Sequence, residues 1–168
     1  MPAATQHSVS EYLSTSYSPD REYVDGEIVE RNLGEYPHSR TQCLLLRFLM
    51  DAEKRWGTLT LISQRVRVSS NRYRVPDLCV LLTNAPDEEI ITNPPFLCVE
   101  ILSKDDLMSR TQEKIEDYLE MGVPHVWVID PRTRRGYHYT SDGMREAKDG
   151  ILRTSSPDIA VPIAELFD

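Results

Sequence analysis

Two acidic residues occupy places where an acid is hard to keep ionised. Asp77 lies near the start of Val75-Pro76-Asp77-Leu78-Cys79-Val80-Leu81-Leu82, and Glu100 lies inside Phe96-Leu97-Cys98-Val99-Glu100-Ile101-Leu102. Both runs read as buried strands, because nearly every neighbour prefers to leave water. A carboxylate there is costly unless a cation, a donor or a metal compensates it. Two such acids imply a shared partner. A hard divalent ion, which takes oxygen ligands, would serve, and an acid and base pair of the glycosidase kind is a different use of the same groups. The chain lacks the aromatic-rich pattern that a sugar cleft suggests, so the glycosidase reading ranks last.

The third candidate is Lys114. The spacing predicts a helix over residues 106–121, with Leu107, Thr111, Lys114, Tyr118 and Met121 on one face and Met108, Ile115 and Leu119 on the adjacent stripe. Gln112, Glu113, Glu116 and Glu120 form the solvated face. Lys114 therefore falls on the packing side, where it either snorkels outward or reaches over the strand ends toward Asp77 and Glu100.

The elements that must position these groups follow in order. Ser8 can cap a short helix over residues 9–14, after residues 1–8 that read as frayed. Asp25-Gly26 between Glu22-Tyr23-Val24 and Glu27-Ile28-Val29-Glu30 predicts a hairpin. Residues 37–56 read as one long amphipathic helix ended by Gly57, and His38 near its start suits a surface or capping place as well as a cleft. Residues 58–70 read as two short strands or one bent one, in which Arg65 and Arg67 face the same way. With Arg72 and Arg74 they form the basic cluster nearest Asp77 in sequence, or else a solvated sheet face.

Pro76 cannot donate a ladder hydrogen bond, which places Asp77 where a strand frays, bulges or meets an edge. Residues 84–95, with Asp87, Glu88 and Glu89, read as a solvated connection. After the helix, Gly122-Val123-Pro124 makes a stop and residues 125–130 a further buried strand. A strand, helix and strand in this order predict parallel pairing of the Glu100 strand with the Trp127 strand. Residues 135–140, 144–148 and 151–155 read as a small antiparallel extension, in which His138 is structural. Residues 157–168 close the chain and tuck Leu166 and Phe167 down.

Taken as an ordered set, Pro76-Asp77, Glu100, Glu113-Lys114, Tyr118 and Gly122-Val123-Pro124 resemble the PD-(D/E)XK nuclease superfamily, and within it the Uma family of restriction-endonuclease-like proteins. The resemblance runs from Asp25-Gly26-Glu27 to Glu165-Leu166-Phe167. It implies an α/β fold with a restriction-endonuclease-like core, a mixed central β-sheet flanked by helices and a C-terminal antiparallel extension, all in one domain spanning residues 1–168. It also implies a lysine moved from the strand to the following helix, with Asp77, Glu100, Lys114 and Glu27 as the site and Asp77, Glu100 and the Ile101 carbonyl as ligands of Mg²⁺ or Mn²⁺. Three departures stand out. Leu102 takes the place of the unmigrated lysine, Lys104 becomes a rival for its role, and Arg110 stands where relatives commonly carry an acid.

Composition limits the partners. A net charge of −8 over 168 residues and a pI near 5.0 exclude a broad basic face, so any DNA contact is local, metal-assisted or supplied by a partner. Arg65, Arg67, Arg72, Arg74, His38 and Lys104 are the candidates for it. Cys43, Cys79 and Cys98 are odd in number and lack metal-binding spacing, and they read as reduced core thiols. No apolar signal region or membrane span is legible, so the expected place is the cytoplasm. The expected activity is metal-dependent hydrolysis of DNA, with a homodimer as the route to two cuts on one duplex. The competing expectation is a silent nuclease fold kept for nucleic-acid binding or as a scaffold.

Overall fold

Residues 5–32 and 34–167 are described in a computed structural model. Helix α1 (Val9–Ser14) starts at Ser8, whose Oγ accepts the Glu11 amide. Strands β1 (Arg21–Val24) and β2 (Glu27–Glu30) form the hairpin, with Asp25 and Gly26 at φ of 49° and 97°. These left-handed values suit an Asp-Gly turn, whose twist matches the flanking strands. Helix α2 (Tyr36–Asp51) and the short α3 (Glu53–Trp56) follow, closed by Gly57 in the left-handed region. The single helix expected over 37–56 is thus interrupted at Ala52.

Strands β3 (Thr58–Ile62), β4 (Val66–Ser69), β5 (Arg72–Arg74), β6 (Leu78–Leu82) and β7 (Leu97–Ile101) precede helix α4 (Met108–Met121). After it come β8 (His125–Asp130), β9 (Arg135–Thr140), β10 (Gly143–Glu146), β11 (Ile151–Arg153), β12 (Ala160–Pro162) and a 3₁₀ turn at Ile163–Leu166. Among the described residues the strands make three sheets. The largest runs β10-β9-β8-β7-β6-β3, the second β2-β1-β5-β4, and β11 pairs with β12. In the largest sheet β7 and β8 pair in parallel, as the strand-helix-strand order requires, and the other pairs are antiparallel.

Both faces of that sheet are covered, which is why its inner strands are apolar without interruption. On one face Leu44, Leu45 and Leu49 of α2 pack on Leu78, Val80, Leu97, Val99, Trp127 and Ile129. On the other, Ile115 and Tyr118 of α4 pack on Cys79, Cys98, Val126 and Val128. Side chains alternate along a strand, so Glu100 shares the α4 face with Cys98. This parity directs its carboxylate at the helix that carries Lys114.

Several expectations are corrected. The expected C-terminal antiparallel extension is present as β9 and β10, which continue the central sheet beyond β8, while β11 pairs with β12 and not with β10. The 84–95 connection is anchored, because buried Ile91 bridges Val66 and exchanges backbone bonds with Arg65 and Arg67. Cys43 is exposed on α2, whereas Cys79 and Cys98 are buried as opposing partners on β6 and β7. His7 is tied to the hairpin through Gly26 and the Tyr23 hydroxyl, while the frayed reading of residues 1–4 lies outside the described residues. Leu166 is buried and Phe167 packs on the core, and Asp168 lies outside the described residues. Among those described, no helix is long and apolar enough to cross a membrane.

Candidate functional site

Asp77 precedes β6 by one residue, where Pro76 has removed a ladder donor and the strand ends. Its carboxylate is buried and accepts the Ile101 amide at 2.8 Å on Oδ2. His38 Nε2 stands 3.2 Å from the same oxygen, and Arg31 donates to Oδ1 at 3.0 Å. The Gln42 side chain holds the Asp77 carbonyl. Burial pushes the Asp77 carboxyl up, but His38, the Lys114 charge and the Ile101 amide together hold it below its usual range. The same contact raises His38 against its burial.

Glu100 is joined to this group through the chain itself, since its neighbour Ile101 supplies the amide that Asp77 accepts. Its Oε2 accepts Lys114 at 2.8 Å and its Oε1 accepts the Tyr118 hydroxyl at 2.6 Å. Lys114 and Tyr118 are four residues apart on α4, so one helix face delivers both donors. Lys114 Nζ also meets Glu22 Oε1 at 3.1 Å. Burial pushes Glu100 up to about 7, opposed by Lys114 and aided by the charges of Asp77 and Glu22. Lys114 itself is raised, because the three acids outweigh its burial. The ammonium stays charged, and Glu100 is the carboxylate that the local charge balance favours least.

These groups line an open cleft of about 280 Å³. Its wall includes Glu27, Arg31, Asn32, Asp106 and Arg110. Glu27 is exposed on the rim, and Glu22 lies deeper, 3% exposed. Glu22 also accepts the Val75 amide and Arg74. Sequence reasoning treated it only as the start of a hairpin. Its place depends on β1 lying beside β5, a long-range pairing that no local signal announces. Arg31 was missed for the same reason. Tyr118 was legible, standing one turn beyond Lys114.

The expected basic cluster is dispersed. Arg65 stacks over the Tyr12 ring, 5.0 Å from its centre, and Arg67 is exposed on β4. Arg72 is bound to Asp25, Asp117 and Glu113, and buried Arg74 to Glu22 and Asp117. Lys104 is 60% exposed and pairs with Glu35 at 2.8 Å. Of the two rival lysines, Lys114 is the one that touches Glu100.

Two carboxylates and a backbone carbonyl are hard oxygen donors of the kind Mg²⁺ or Mn²⁺ takes, and a buried acid raised to about 7 is stabilised by an added cation. The donor set fits such an ion. Asp77, Glu100 and the Ile101 carbonyl would hold it with water completing the shell, since among the described residues no three His, Cys, Asp or Glu side chains form a ready cage.

Residues 9–163 match the Uma2 family, described as "Putative restriction endonuclease". A solved structure titled as a putative nuclease belonging to DUF820 from Anabaena variabilis ATCC 29413 superposes with a TM-score of 0.82 at 20% identity. The alignment covers 96% of this chain and 97% of that one, a likeness of fold. No curated protein matches the sequence.

Proposed function

We propose that this chain, which belongs to the Uma2 family of putative restriction endonucleases, is a single-domain, divalent-metal-dependent endonuclease that hydrolyses DNA phosphodiester bonds. The observation that carries the reading is the 2.8 Å contact of Lys114 Nζ with Glu100 Oε2, beside an Asp77 fixed by the Ile101 amide. A lysine moved to the helix thereby reaches the acid that its absence from the strand had left without one.

Asp77, Glu100 and the Ile101 carbonyl would hold Mg²⁺ or Mn²⁺, which would supply Lewis-acid polarisation of the phosphate and a more acidic water. Lys114, kept charged by the surrounding acids, orients the attacking water and stabilises charge on the phosphoryl oxygens. Tyr118 fixes the second oxygen of Glu100, so the carboxylate cannot swing away. Glu27 on the rim orients further water. One P–O ester bond is exchanged for a P–O bond to water, leaving a phosphate monoester and an alcohol. We place the activity in the cytoplasm, consistent with the free thiols, and assign two cuts on a duplex to a homodimer.

A second reading has its own observation. Each oxygen of Asp77 and Glu100 already accepts a protein donor, an arrangement suited to a silent nuclease fold that binds nucleic acid or serves as a scaffold. Supercoiled plasmid incubated with Mg²⁺ or Mn²⁺ separates the two. The nuclease reading expects nicked or linear product, lost in Asp77→Ala and Glu100→Ala. Cleavage at wild-type rate in either variant removes the site assignment. Binding without cleavage, with no metal-induced rise in Tm, selects the silent fold.

A further inference from the structure

Arg31 differs from the other guanidinium groups near the cleft. Arg72 and Arg74 each face several acids, which lock them between β5 and α4. Arg31 follows the last residue of β2, lines the cleft, and among the described residues has one ion pair, with Asp77 Oδ1 at 3.0 Å. That oxygen belongs to a carboxylate named above as a cation ligand. A guanidinium cannot lose its charge in this pH range, so it cannot share one carboxylate with a divalent cation without repulsion. Its planar fork also matches two oxygens of a phosphate.

We propose that Arg31 is a phosphate-binding residue of this cleft, held by Asp77 until a divalent cation takes that carboxylate, so that cation loading hands the guanidinium to the DNA backbone. The inference rests on the metal-nuclease reading. Arg31 then competes with the cation when DNA is absent and cooperates with it when DNA is present, and the coupling is reciprocal. A residue that merely supported the fold would not move the two affinities in opposite directions.

Calorimetric titration of Ca²⁺ and Mn²⁺ into the DNA-free protein, paired with anisotropy of a labelled duplex in Ca²⁺, tests this, with the duplex's length checked on a gel afterwards. Arg31→Gln is expected to bind the cations about tenfold more tightly and the duplex about tenfold more weakly, the scale of one charge-assisted bond. Arg110→Gln, also in the cleft lining but without an ion pair to Asp77, is expected to weaken duplex binding with cation affinity unchanged. Arg31→Lys keeps the competing charge and loses the fork, so it should retain wild-type cation affinity and lose duplex affinity, and it decides the matter should the Gln variant fail to fold. Unchanged or weaker cation binding in Arg31→Gln, or unchanged duplex binding in either Arg31 variant, overturns the proposal while a wild type that binds the cation keeps the nuclease reading intact. A wild type that takes up neither cation removes both.

Discussion

Arg74 and Lys114 stand on two sides of Glu22, and the buried charges around them are balanced differently. On the Arg74 side, two guanidinium groups meet Asp117 through both of its oxygens, with Asp25, Glu113 and Glu22 completing the set. Asp117 accepts Arg72 on one oxygen and Arg74 on the other, and α4 is pinned to β5. On the Lys114 side, one ammonium serves Glu22 and Glu100, while Asp77 takes its donors from elsewhere. Asp117 lies one helical step from Tyr118 and three from Lys114, so the closed network sets the rotation of α4 that aims both donors at Glu100. Two guanidinium groups hold the frame between β5 and α4, and a single ammonium serves the two acids on the cleft side.

The largest effect is expected at Asp117, where α4 meets β5. Asp117→Ala leaves Arg74 with an uncompensated share of buried charge and is expected to destabilise the fold by about 3 kcal/mol, read as a lower urea midpoint. A loss no larger than that of an exposed acid would mean that the network does not hold α4.

Glu100→Gln should show the opposite sign. The folded Glu100 is raised to about 7, above its unfolded value, so the wild type is favoured below the unfolded pKa and loses stability as pH rises toward 7. The Gln variant escapes that loss. It is expected to be inactive yet more stable than wild type by about 2 kcal/mol at pH 7.5, with the gap closing toward pH 4.5. A variant less stable than wild type at both pH values would show that Glu100 is fully compensated.

The far edge of the central sheet offers a milder contrast. His125 Nδ1 and His138 Nε2 are 2.9 Å apart, with Arg145 paired opposite His138. Burial, then the His125 and Arg145 charges, push His138 down to about 4. An unfolded histidine takes a proton near 6.5 while the folded one does not, so stability falls as pH drops from about 6.5 toward 4. His138→Phe should flatten that slope by about 1 kcal/mol, seen as Tm against pH. A profile parallel to wild type would separate the pair from acid sensitivity.

Lys104→Ala should do least. Its pair with Glu35 is exposed at the surface, and such pairs contribute little. Tm and plasmid cleavage should both match wild type, whereas Lys114→Ala should lose cleavage. The reverse result would return the catalytic role to Lys104.

Much of this molecule is written in short-range pattern. Apolar runs with a misplaced acid marked β6 and β7, the Asp25-Gly26 pair marked the hairpin, and Gly122 marked the end of α4, because each depends on neighbours within a few residues. Lys114 on a packing face was legible from helical period alone, as was Tyr118 one turn on. The break at Ala52 was not, nor was the pairing of β11 with β12, since the apolar period continues through the first and partner choice in the second depends on distant strands.

Local pattern alone therefore fixes the periods of the main strands and helices and the apolar faces they bury, though it put Cys43 in the core and left out Glu22. Which charges meet depends on the folded chain. Glu22 reaches Lys114 because β1 lies beside β5, Arg31 reaches Asp77 across 46 positions of chain, and Arg72 and Arg74 turn to Asp117 instead of the cleft. Ion pairs follow distance in space, and long-range strand pairing sets those distances without leaving a local trace.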